Sequence, residues 1–109
     1  MADKIVNKMA WTEDVTTGTT AMPLSSDWSE VTGLVRFGDT YTNASFYAAR
    51  AGLIEQNEEQ IIIGPNGNSI RLEARIKIVR NTNPSIQLLN ATVNGVDKTS
   101  VAVFKIAYR

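Results

Sequence analysis

The chain contains no cysteine and no histidine. Without cysteine, disulfides and thiolate metal sites are excluded, so stability must come from packing and backbone hydrogen bonds. Without histidine the commonest general base and the commonest metal ligand are missing, and most familiar hydrolase constellations go with them. Charge of one sign is lacking too. Eleven basic and eleven acidic residues cancel, leaving no net field to draw the chain to nucleic acid or to an anionic membrane. Its apolar runs are a few residues long, far short of a membrane span, and the opening Met1-Ala2-Asp3-Lys4-Ile5-Val6-Asn7-Lys8 has no signal-peptide core. No glycine-rich phosphate loop or metal-ligand spacing occurs, so no cofactor and no metal are expected. Met1-Ala2 reads as a natural start of a cytosolically made product with no nucleic-acid partner and no membrane insertion.

What is present is two-residue periodicity. Over 69–79, Ile70, Leu72, Ala74, Ile76 and Ile78 fall on one side of an extended backbone, and Arg71, Glu73, Arg75 and Lys77 on the other. A helix fails here, because Glu73 and Lys77 would enter the apolar stripe. This predicts a long strand with one wet face, most simply a solvated row of partly paired charges. Around it the chain breaks into short strands separated by turn residues. A first strand is expected over 10–15 with Trp11 as its bulky member, then a turn at Thr17-Gly18-Thr19. Residues 21–24 are expected to pair back on that strand, with Pro23 suited to an edge. Asp27 and Glu30 have the spacing of a capping box, predicting a short helical corner over 25–30. Strands follow at 34–37 and 40–50, and a polar loop is expected at 55–60. Ile61-Ile62-Ile63 with Gly64-Pro65-Asn66-Gly67 reads as a hairpin, 86–93 as a strand closed by the tight turn Asn94-Gly95, and 101–109 as a paired final strand.

Seven or eight short strands in 109 residues predict one all-β domain, an antiparallel β-sandwich of jelly-roll-like form. It would span 11–109 behind a flexible lead-in or anchor at 1–10. The expected interior is Trp28, Val35, Phe37, Ile62, Ile70, Leu72, Ile76, Ile78, Leu88, Val93, Phe104 and Ile106.

Candidate chemistry is sparse. A glycosidase needs two facing carboxyl groups, and the acidic clusters away from turns are Asp27 with Glu30, and Glu55 with Glu58 and Glu59. The first is explained by a helix cap and the second by a solvated loop, so no catalytic residue is assigned. A small glycan-active enzyme ranks last. Sugar binding asks for an exposed aromatic face beside amide or carboxylate groups, and Asp39, Tyr41, Asn43 and Tyr47 supply that set as ligand-binding candidates. Tyrosines at a core edge are the structural alternative. Asn43-Ala44-Ser45 and Asn90-Ala91-Thr92 match the glycosylation acceptor pattern and, without a secretion signal, are read as chance.

One ordering goes further. Trp11, then Thr17-Gly18-Thr19, then Leu24-Ser25-Ser26-Asp27-Trp28-Ser29-Glu30, then a hydrophobic strand closed by Gly38-Asp39, and finally Val103-Phe104-Lys105-Ile106-Ala107-Tyr108-Arg109 together resemble the compact β head domains of bacteriophage tail-fibre and receptor-binding proteins. The resemblance implies a non-catalytic phage or prophage virion protein at a tail or capsid surface, made in the bacterial cytoplasm. Its implied partners are copies of itself, as a homotrimer, other virion proteins and a host-surface glycan or protein. Two departures stand out: only about ten residues precede the head, and Glu30-Val31 replaces the family's Tyr-Asp at the corner. They keep open a baseplate, collar or capsid accessory role, or a head domain clipped from a longer protein, and no family binding residue maps onto a position here. The alternative is a stand-alone carbohydrate-binding module.

Overall fold

The computed structural model describes residues 10–37, 44–51, 56–64 and 70–109. These form nine strands: β1 (Thr12–Thr17), β2 (Met22–Pro23), β3 (Glu30–Arg36), β4 (Ala44–Ala49), β5 (Asn57–Ile63), β6 (Leu72–Val79), β7 (Ser85–Val93), β8 (Val96–Asp97) and β9 (Val103–Tyr108), with one 3-10 turn at Thr99–Val101. One sheet has the order β1-β9-β3-β4, and the other β2-β7-β6-β5 with β8 hairpinned onto β7. All pairings are antiparallel. The chain alternates between sheets over β1, β2 and β3, and its last strand lies beside its first, which gives the sandwich its jelly-roll-like wrapping. A hairpin (β3-β4) and a meander (β5-β6-β7) complete it. Among the described residues no helix is long and apolar enough to cross a membrane.

The alternation seen in the sequence is what closes the core. Leu72, Ala74, Ile76 and Ile78 of β6 point inward against Phe104 and Ile106 of β9, Val31 and Val35 of β3, and Ala44, Phe46 and Ala48 of β4. Every residue of the expected interior is buried except Ile70, which packs partly covered against the cluster. Burying these side chains stabilises the fold by about 1.5–3 kcal/mol for each Val, Leu, Ile or Phe. The Phe46 and Phe104 rings lie 5.7 Å apart and tilted. Gly33, on β3, sits beneath Phe46. A Cβ there would overlap the Lys105 carbonyl oxygen and come within 2.8 Å of the Phe46 ring. At the β7-β8 hairpin, Asn94 and Gly95 both take positive φ (52° and 81°), the two-residue turn whose twist matches its strands.

Three expectations are corrected. Met22-Pro23 is an edge strand, as the proline requires, but it pairs with Ile86-Ser85 of β7 and not with β1, so it belongs to the opposite sheet. Residues 25–28 make a single turn closed by Trp28 N–H to Ser25 O at 3.1 Å. Glu30 opens β3 instead of capping a helix. The polar stretch 57–60 is strand, not loop. Asn57 to Gln60 pair with β6 at the sheet edge, where Glu58 and Gln60 are half-buried on the same side as Ile62. An edge tolerates polar residues that a central strand would not. The turn at Gly38-Asp39, the tip of the 64–67 hairpin and the lead-in 1–9 lie outside the described residues.

A charged residue sits in this interior. Arg80, directly after β6, is buried, and its side chain reaches the Glu58 carboxylate on β5 and the Ala49 carbonyl on β4 (3.4 Å), so it ties the two sheets together. Its carbonyl accepts the indole N–H of the fully buried Trp28 at 2.9 Å. One guanidinium nitrogen, Nη1, has no partner among the described residues.

Candidate binding face of the four-stranded sheet

Inward positions of the four-stranded sheet are spent on the core, and among the described residues its opposite face is half-buried to exposed. Strand register arranges that face in rows. Glu13, Ala107, Thr32 and Tyr47 stand side by side on β1, β9, β3 and β4. The next row is Val15, Lys105, Leu34 and Ser45. On the other side, Arg109 continues β9 and exchanges backbone hydrogen bonds with Glu30 (3.0 and 3.1 Å), which in turn pairs with Ala49.

The small side chains at Ala107 and Thr32 leave a trough between larger neighbours. A shallow groove of about 310 Å³ runs there, floored by Thr32, Ala107 and the backbones of Gly33 and Ile106, and bordered by Glu13, Leu34, Ser45 and Lys105. The Thr32 hydroxyl donates to the Phe46 carbonyl at 3.0 Å, so it is not a free donor on the floor. Neither Glu13 nor Lys105 makes an ion pair among the described residues.

Beside the groove runs a chain of contacts from Trp11, just before β1, through Arg109, just after β9, to Glu30 of β3 and Tyr47 of β4. The Tyr47 hydroxyl donates to Glu30 Oε1 at 2.9 Å, and Arg109 Nε donates to Glu30 Oε2 at 2.7 Å. The Arg109 guanidinium lies 4.5 Å from the centroid of the Trp11 ring, a cation–π contact. The bond from Arg109, and secondarily that from Tyr47, holds the Glu30 carboxyl below its ordinary value of 4.5. Donating to that carboxylate pushes the Tyr47 phenol above its ordinary 10.0. Both rings remain accessible, Tyr47 at 57% and Trp11 at 39%. The chain of contacts therefore ties two exposed rings to one carboxylate, Tyr47 directly and Trp11 through Arg109.

Of the four residues expected to form a sugar site, Tyr47 lies on this face. Asp39, Tyr41 and Asn43 fall outside the described residues. The acidic residues weighed for catalysis are dispersed: Asp27 is exposed in its turn, Glu30 is held by Arg109, Glu58 by Arg80, and Glu59 lies 4.0 Å from Arg75. Glu55 is outside the described residues. Among the described residues no group of three acidic side chains is placed to hold a metal ion. Reading the sequence missed Arg109, Lys105 and Glu13 as members of a surface, and took Glu30 for a cap. The phase of the final strand separates Lys105, Ala107 and Arg109 from the core side, but nothing local in the sequence places Trp11 beside Arg109. That neighbourhood follows from the β1-β9 register, in which Thr12 faces Tyr108.

No protein-family model, curated protein or solved structure matches this chain.

Proposed function

We propose that this chain is a non-catalytic structural protein of a phage or prophage virion, carried at the tail or capsid surface and acting in host attachment or in tail or baseplate assembly. The observation that carries the reading is the Trp11–Arg109–Glu30–Tyr47 chain of contacts. An ion pair, a hydrogen bond and a cation–π contact link two exposed rings into one fixed surface, which suits recognition by contact. The ordering of Trp11, the Leu24 to Glu30 corner and the 103–109 strand supports it through the resemblance to phage head domains. A chain without imidazole or thiol also lacks the usual means of making and breaking bonds.

The test is light scattering over a dilution series, together with adsorption of labelled protein to bacterial cells. A stable homotrimer that adsorbs, or that joins other virion proteins, supports the proposal. A monomer at every concentration that adsorbs to nothing overturns it. The groove beside Tyr47 favours a second reading, a carbohydrate-binding module acting alone, which predicts glycan binding by a monomer. Activity on a glycan that disappears in Asp27→Asn or Glu30→Gln would replace both readings with an enzyme.

A further inference from the structure

Tyr47 is held by its hydroxyl, yet more than half of it is exposed. A surface tyrosine fixed this way has already lost the rotamer freedom that a ligand would otherwise have to remove. Next to it along one row lie Thr32 and Ala107, too small to fill the space. At the far end of the row stands the Glu13 carboxylate, and on the flanking row the Lys105 ammonium, two charges without an ion-pair partner among the described residues. The row from Tyr47 to Glu13 crosses three strand spacings, roughly 14 Å. The trough spans the strands from Glu13 on β1 to Ser45 on β4, with one fixed aromatic ring beside it, next to Thr32 in the row, and one acceptor and one donor along its border. That arrangement matches the two-sided chemistry of a sugar, whose C–H face stacks on an aromatic ring while its hydroxyls bond carboxylates and ammonium groups.

We infer that the groove over Thr32 and Ala107 binds a short neutral saccharide of two or three rings, stacked on the Tyr47 ring beside the groove and hydrogen-bonded by Glu13 and Lys105. A long anionic polymer fits less well, because Glu13 borders the groove and Glu30 lies just beyond it. The larger hollow at the β2 corner, about 470 Å³, is lined by Pro23, Ser26, Asn81 and Asn83 among others, and by no aromatic or charged side chain. This inference rests on the attachment reading of the same face and names the ligand class it would take.

The experiment is amide NMR of the full chain titrated with maltotriose, cellotriose, chitotriose and a galactose-terminated trisaccharide. At least one is expected to give saturable shifts at Thr32, Leu34 and Ala107, with a Kd on the order of 0.1–1 mM. Tyr47→Ala should weaken that binding about tenfold, while Tyr47→Phe, which keeps the ring, should stay within about threefold. Ala107→Phe changes only the outward side of β9 and should abolish binding with amide dispersion retained. The inference is overturned if none of the four saccharides gives saturable shifts up to about 10 mM, if the shifts map to another face, or if Ala107→Phe binds as well as the parent. A chain that ignores all four yet still trimerises and adsorbs to cells loses this inference and keeps the attachment reading.

Discussion

Arg80 and Arg109 each close on a glutamate, and the two pairs differ in where the sandwich puts them. The Arg80 side chain is 2% exposed and that of its partner Glu58 29%, whereas Arg109 and Glu30 are 30% and 22% exposed. In the first pair the cation is enclosed between sheets, with bonds to β4 and β5 and with Trp28 on its backbone carbonyl. In the second the cation lies over Trp11 at the surface, and the anion also receives Tyr47. The same ionic chemistry therefore serves two ends. Where the cation is shut away from water, losing its glutamate strands a buried charge, and the pair locks the fold. Where water has access the pair adds little to stability, and its effect is to orient the side chains around it.

The largest expected effect is at the enclosed pair. Glu58→Ala leaves the Arg80 guanidinium buried without a counter-charge and should cost about 3–5 kcal/mol in urea denaturation at neutral pH. The double change Glu58→Leu with Arg80→Met should recover most of that loss. A Glu58→Ala loss under about 1 kcal/mol would place this pair in the same class as the surface one. Next, Trp28→Phe removes the donor to the Arg80 carbonyl and should cost about 1–3 kcal/mol for the unsatisfied acceptor, with a further cost for the space left.

Glu30→Ala should move the denaturation midpoint far less than Glu58→Ala, yet change what Tyr47 does. With its acceptor gone, the phenol should titrate closer to its ordinary 10.0, readable by ultraviolet absorbance, while the enclosed pair is untouched. An unchanged tyrosine titration would mean that Glu30 does not hold the ring.

The smallest effects are in pH. Glu30 and Asp97 both have folded-state values below their ordinary 4.5 and 3.8, Asp97 through bonds from the Thr99 hydroxyl and backbone N–H. A lowered carboxylate contributes stability that is complete above its ordinary value and lost as pH falls through the folded one. Stability should therefore decline in acid from below about pH 4.5, with a shallower decline in Glu30→Ala. Tyr47 has the opposite sign: its contribution is complete below pH 10.0 and lost as pH rises through the raised folded value. A stability profile flat on the acid side would argue that neither carboxylate is tied in solution.

Much of the architecture can be read from residues 71–78, where the alternation is unbroken and Leu72, Ala74, Ile76 and Ile78 land inside. The same phase, carried two residues past Ile78, points to Arg80, so a signal for the buried arginine was present even though its residue type argues against burial. β7 carries a subtler record. Ile86 and Leu88 share one parity and Ala91 and Val93 the other, and both pairs are buried. The register with β6 slips there, with Arg75 opposite Asn90 and Ile76 opposite Leu88. Leu89 is the extra residue of a bulge that lets one strand keep its apolar side inward through a change of phase. The Asp27 to Glu30 spacing misled because a four-residue acidic interval fits a helix cap and a turn-to-strand junction equally well. Tyr47 was legible as a candidate because an aromatic residue on the polar phase of a strand must face outward.

The residues by themselves determined the alternation that makes strands, the glycines and asparagines that reverse them, and the absence of imidazole and thiol chemistry, because each of these is set by a side chain and its immediate neighbours. Only the tertiary structure decided which strands become neighbours, since pairing between residues as distant in sequence as Trp11 and Arg109 depends on how two sheets share one core. That choice put Met22-Pro23 on the far sheet, enclosed one arginine and exposed another, and set Glu13, Ala107, Thr32 and Tyr47 in a single row.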